Sequence, residues 1–287
     1  MFYTRGMSKF CLVALYLVAV STMSVGATND YDSLPAAVMR ASFKARQLIG
    51  QQKDLEAVEF LSNVLKSFPN SAELLARRGQ ARIYIEQDAA AFKDFEEALK
   101  SPNLSLVQCS LMIGALIEAE NYDLALKVYE KGKGLPGQAE QRASFLYQGG
   151  SLMRRTKKRP QAVVLLTEAN RIMPSNLDYC EELIFVYADL RKWDLVISTT
   201  NSFEKANKSV ARRSGLARIY DRRATAYMYK KQYREAISDL NKAIAISPLS
   251  VSFFRKRAEC YGQLGDRLAQ KKDQLKIDEI VKSLVDK

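Results

Sequence analysis

The chain has 287 residues, 47% of them apolar and 26% charged, with a formal net charge of +12; that balance belongs to a folded globular protein of one or two domains rather than to a disordered chain. Histidine is absent, which excludes Ser-His and Cys-His nucleophile pairs and histidine-based zinc sites.

At the N-terminus, Arg5 and Lys9 precede the uncharged run Phe10 to Val20, and small residues follow up to Val25-Gly26-Ala27. A basic start, an apolar stretch and a small-residue site form the pattern of a secretory signal, with cleavage expected after Ala27. Residues 1–27 are read as a signal peptide and the protein as exported, periplasmic or secreted in a bacterial envelope. The competing reading is an uncleaved helical anchor, because no charge falls between Phe10 and Asn29, close to the ~20 residues that a spanning helix needs. Residues 28–37 are read as a lead-in.

Beyond this point the chain repeats itself. Pro35, Pro69, Pro102 and Pro136 are 34, 33 and 34 residues apart, and Pro174 and Pro248 continue the series with insertions. Ala57, Ala91, Ala125, Ala162, Val196 and Ala236 recur at intervals of 34, 34, 37, 34 and 40. Four residues after each lies a larger side chain (Leu61, Phe95, Tyr129, Leu166, Thr200, Leu240), and seven after each come Val64, Ala98, Gly132, Ala169, Phe203 and Ala243. Offsets of four and seven put these residues on one helical stripe, where a small side chain lets a neighbouring helix approach. Pro160 falls at an expected helix start, where its missing N–H costs little.

The stretch Ala217 to Ser250, with Tyr220, Ala224, Tyr227, Tyr233, Ala236, Leu240, Ala243 and Pro248, resembles the tetratricopeptide repeat, and the segment from Gly79 resembles it nearly as well. The resemblance implies an all-α, right-handed superhelical solenoid of about seven helix-turn-helix units. These are assigned to 38–71, 72–104, 106–139, 143–176, 177–210, 217–250 and 251–284, so that the solenoid spans 38–284 and 285–287 form a tail. Val196, Thr200 and Phe203 make the fifth unit the most divergent, and the charged last helix is read as a solubilising cap.

In this family the first helix of each unit lines a concave groove that holds a protein or peptide. The resemblance therefore implies a non-catalytic scaffold or adaptor, with Tyr147, Arg154, Asp178, Glu181, Glu182, Phe185, Arg218, Arg222, Tyr229 and Arg255 as groove candidates. These are read as solvated faces whose alternation of charge selects the partner. The carboxylate clamp of chaperone-binding members is not reproduced: Arg218 and Arg222 fit its basic places, but Tyr147, Ser151 and Glu182 stand where asparagines belong.

An alternative function is binding of a polyanion, or of an anionic membrane or cell-wall surface, through basic loops: Arg154, Arg155, Lys157, Lys158 and Arg159, and then Lys205, Lys208, Arg212 and Arg213. No cofactor, metal or nucleic-acid partner is expected, and the oligomeric state is left open. Cys109, Cys180 and Cys260 fall on first helices whole repeats apart. Because adjacent helices pack ~8–10 Å apart and a disulfide tolerates a Cα separation of ~7 Å, the three are expected to be free and buried.

Overall fold

The computed structural model describes residues 35–207 and 214–285. The signal segment 1–27, Lys208, Arg212 and Arg213 lie outside them. The described residues form fourteen helices and no strand, and no helix among them is long and apolar enough to cross a membrane. The chain divides into two compact units, residues 1–141 and 142–287.

Unit 1 holds α1 (Ala36–Gly50), α2 (Asp54–Leu65), α3 (Ala72–Tyr84), α4 (Asp88–Ala98), α5 (Leu106–Glu118) and α6 (Tyr122–Gly132). Unit 2 holds α7 (Ala139–Arg155), whose first turn begins just before the division, then α8 (Arg159–Ile172), α9 (Leu177–Asp189) and α10 (Trp193–Ala206), followed by α11 (Ser214–Tyr229), α12 (Tyr233–Ile246), α13 (Val251–Gln263) and α14 (Arg267–Val285). Three helices start earlier than the sequence suggested. Ala36 places the first turn of α1 inside the expected lead-in, while α7 and α11 each extend N-terminally by several residues.

One turn geometry recurs between the first and second helix of every pair. Gln52, Glu86, Glu120, Lys157, Arg191, Lys231 and Gly265 all adopt positive φ, between 54° and 79°. The residue after each donates its backbone N–H to a carbonyl five residues back, as in Lys53 to Leu48, Lys158 to Met153 and Asp266 to Tyr261, at 2.8–2.9 Å. This is a Schellman closure, which satisfies the last carbonyls of the first helix. Six of the seven residues are not glycine, so the turn geometry is kept despite a left-handed cost of roughly 1–2 kcal/mol per residue. Four helices, α3, α5, α6 and α9, are capped at their N-termini by side chains. Ser71 accepts from the Leu74 N–H, Asn121 from that of Leu124 and Asn176 from those of Asp178 and Tyr179, and Ser105 with Gln108 forms a capping box.

The stripe read from the sequence is the packing seam. Ala57, Ala91, Ala125, Ala162, Val196 and Ala236 are fully buried, as are Leu61, Phe95, Leu166, Thr200 and Leu240. Where the larger partner presses hardest, the facing helix has glycine: a Cβ on Gly79 would lie 2.3 Å from the Phe95 ring, and one on Gly150 2.5 Å from Leu166. Three pairs carry a further staple that the sequence reading missed. Arg78–Asp94, Arg223–Asp239 and Arg257–Asp273, each sixteen residues apart, join first to second helix by two-pronged hydrogen bonds of 2.6–3.0 Å.

Candidate functional site: the first-helix face of unit 2

In unit 2 the first helices α7, α9, α11 and α13 carry a ladder of contacts from one repeat to the next. Arg154 Nε donates to Glu182 Oε1 at 2.7 Å, and Ser151 Oγ donates to the same oxygen at 3.0 Å. Glu181 receives both prongs of Arg218, with Nη2 at 2.8 Å from Oε2. Lys256 Nζ reaches Asp221 at 2.6 Å and Thr225 Oγ1 at 3.0 Å. The guanidinium of Arg222 lies 4.7 Å over the Phe185 ring, and Tyr147 stacks on Tyr179 with centroids 4.8 Å apart. Burial, and next the carboxylates of Glu182, Asp178 and Glu181, push the Tyr147 phenol well above its usual range, so it remains a neutral hydroxyl.

The geometry corrects the reading of Glu181 and Glu182 as solvated. They are 6% and 9% exposed, because stacking one repeat on the next covers both carboxylates with an arginine from each side. Arg154 is likewise withdrawn from the basic loop run and belongs to this face. Tyr229 stands apart from the other aromatic candidates and stacks on Trp193 at the turn edge, with centroids 4.3 Å apart and rings 8° from parallel. Arg222 and Arg255 are exposed and Phe185 is half-buried, while Asp178 sits in the first turn of α9. Glu181 and Glu182 are each committed to a separate guanidinium, so they do not act as a paired acid and base.

Of the basic-loop residues, Arg155, Lys157, Lys158 and Lys205 are exposed, and Arg159 lies 3.9 Å from Asp189. Cys109, Cys180 and Cys260 are buried and unpaired on α5, α9 and α13. Burial raises their thiols to about 12, 12 and 11, so little nucleophilic thiolate forms at neutral pH. Among the described residues no cluster of three or more Cys, Asp or Glu side chains is placed to hold a metal ion.

Two signals in the sequence went unread. The Arg–Asp staples were visible as a recurrent spacing of sixteen, and the ladder as opposite charges about one repeat apart. Phe43 on α1, 56% exposed with Arg46 5.8 Å over its ring, was also passed over; nothing but its helical phase marks it.

Residues 217–250 match the model of the tetratricopeptide repeat. No curated protein matches the chain. Among solved structures, the Pseudomonas aeruginosa pilF protein is 16% identical, with 78% of this chain and 97% of that one covered and a TM-score of 0.62. A double mutant of RS-1 MamA is 14% identical, with 63% and 97% covered and a TM-score of 0.53. MamA of Desulfovibrio magneticus RS-1 from residue 41 onward is 15% identical, with 62% and 96% covered and a TM-score of 0.51. At these identities the likeness is one of fold. Arrays of this fold are in general non-catalytic platforms for protein interaction. The helix pairs and their common turn form an array of helical hairpins of the tetratricopeptide-repeat type, and residues 217–250 match the model of that repeat.

Proposed function

We propose that the chain is a protein-binding scaffold outside the cytoplasmic membrane, and that its partner segment lies on the first-helix face of unit 2. The observation that carries this is the pairing of charges on that face. Arg154 with Glu182, Glu181 with Arg218 and Asp221 with Lys256 satisfy one another. They hold in place a surface presenting Phe185 beneath Arg222, seated over the largely buried Tyr147–Tyr179 stack. Aromatic and arginine side chains of this kind, already ordered before the partner arrives, are the ones that most often dominate protein interfaces. Export rests on the basic start, apolar run and small-residue site of residues 1–27.

Contacts of this type are screened weakly by salt. The test is recovery of the partner from envelope extracts of the native host by wild type and by Phe185→Ala. The reading expects a protein retained by wild type at moderate ionic strength and lost from the variant. Equal retention by both would remove Phe185 from the interface and overturn the placement.

A further inference from the structure

The seven left-handed turn residues differ in charge between the two units. In unit 1 they are Gln52, Glu86 and Glu120; in unit 2 the first three are Lys157, Arg191 and Lys231, all exposed. Lys158 and Lys192, also exposed, follow the first two. Contacts tie these turns together along one edge of unit 2: Arg159 approaches Asp189 of the next repeat, Lys230 pairs with Asp194, and Trp193 stacks on Tyr229. The acidic side chains Asp189 and Asp194 are thus answered by their own cations, and the edge remains strongly positive. The aromatic pair sits among these cations, and Tyr229 is 59% exposed.

We propose that this edge docks on the surface of an anionic lipid bilayer. A row of lysine and arginine side chains is complementary to acidic headgroups, and tryptophan and tyrosine with one ring face open are the side chains that settle at the boundary between headgroups and acyl chains. The cations follow successive turns in a line rather than lining a pocket, which suits an extended planar surface. The edge is distinct from the first-helix face, so a chain seated on a membrane in this way keeps its protein-binding face open. The inference stands without the proposed scaffold role.

Trp193 is the only tryptophan in the chain, so its emission reports this edge directly. Vesicle sedimentation would respond to the apolar run Phe10 to Val20 as well. The probe is a titration of the full chain with vesicles of phosphatidylglycerol and phosphatidylcholine in equal parts, with pure phosphatidylcholine vesicles alongside. With anionic vesicles the emission should shift to the blue and resist acrylamide, and nitroxide-labelled lipid should quench it; pure phosphatidylcholine should do little.

Combining Lys157→Glu, Lys158→Glu, Arg191→Glu and Lys192→Glu should weaken the anionic-vesicle response by about tenfold or more. The backbone accepts glutamate at these turns, since Glu86 and Glu120 hold the same conformation, and an unchanged far-ultraviolet circular dichroism spectrum checks the fold. The proposal is overturned by any of three results: no Trp193 response to anionic vesicles, an equal response to phosphatidylcholine alone, or an undiminished response in the charge-reversed chain. A response to soluble dextran sulfate with none to vesicles would overturn it in favour of a free polyanion.

Discussion

The two units are built on one repeat and use its first helices differently. In unit 1 the charges turn inward. Glu73, 2% exposed, accepts from Arg77 Nε at 2.9 Å and Gln108 Nε2 at 2.6 Å, and is also bonded by Ser42, so that α1, α3 and α5 share one buried carboxylate. In unit 2 the corresponding charges form the ladder between Arg154 and Lys256, and the arginine ends reach solvent. Unit 1 therefore resembles a polar core, whereas unit 2 resembles a prepared surface. The fold sets where first-helix side chains point, and the residue at each place decides whether they close on one another or remain available.

The largest test of this difference removes one carboxylate from each network. Glu73→Ala leaves the buried Arg77 guanidinium without that carboxylate and should cost ~3–5 kcal/mol. Glu182→Ala should cost less, because Arg154 is a quarter exposed and can turn to water. Urea denaturation of both variants decides it, and equal losses would break the distinction between core and surface.

Glycine at the helix crossing tests what the units share. Gly79→Ala and Gly150→Ala each place a methyl against a side chain on the facing helix and should destabilise by ~1–3 kcal/mol. A loss at one position alone would show that the seam is not common to both units.

Acid should expose the polar core next. Burial alone would raise the pKa of Glu73, but Arg77 and the hydrogen bonds from Ser42 and Gln108 outweigh it and leave it below the usual 4.5. A lowered carboxylate contributes stability above its unfolded pKa and loses it as pH falls through the folded value. The stability difference between wild type and Glu73→Gln should therefore be full above pH 4.5 and shrink as the solution is acidified below it, as followed by urea midpoints across the series.

The smallest effect is local. Glu86→Gly in unit 1 and Lys157→Gly in unit 2 relieve the same left-handed strain and should each raise stability by up to about 1 kcal/mol, measurable as a rise in Tm.

Much of the fold was legible because helix packing writes a period into the chain. The small residues from Ala57 to Ala236 keep the same intervals as the left-handed turns, since both mark one place in each repeat. The sequence also marked the cysteines as buried, by placing them on first helices. Less was legible in the site. Glu181 and Glu182 looked like a solvated acidic patch because helical phase gives the face of a side chain but not what the next repeat lays over it. Arg218 and Arg154 cover them from 37 and 28 residues away, and the residues inserted before the sixth unit obscure the first of these spacings. The stacking of Trp193 on Tyr229 depends on the same register and was invisible for the same reason.

The central claim is that the partner lies on the first-helix face of unit 2. The most direct measurement places a photo-crosslinking phenylalanine analogue at Phe185, and separately at Phe43, the exposed aromatic on α1 of unit 1. After irradiation in the native host, adducts are identified by mass spectrometry. The account predicts one discrete partner adduct from position 185 and little or none from position 43. An adduct from position 43 with none from 185 would contradict it and move the interface to unit 1.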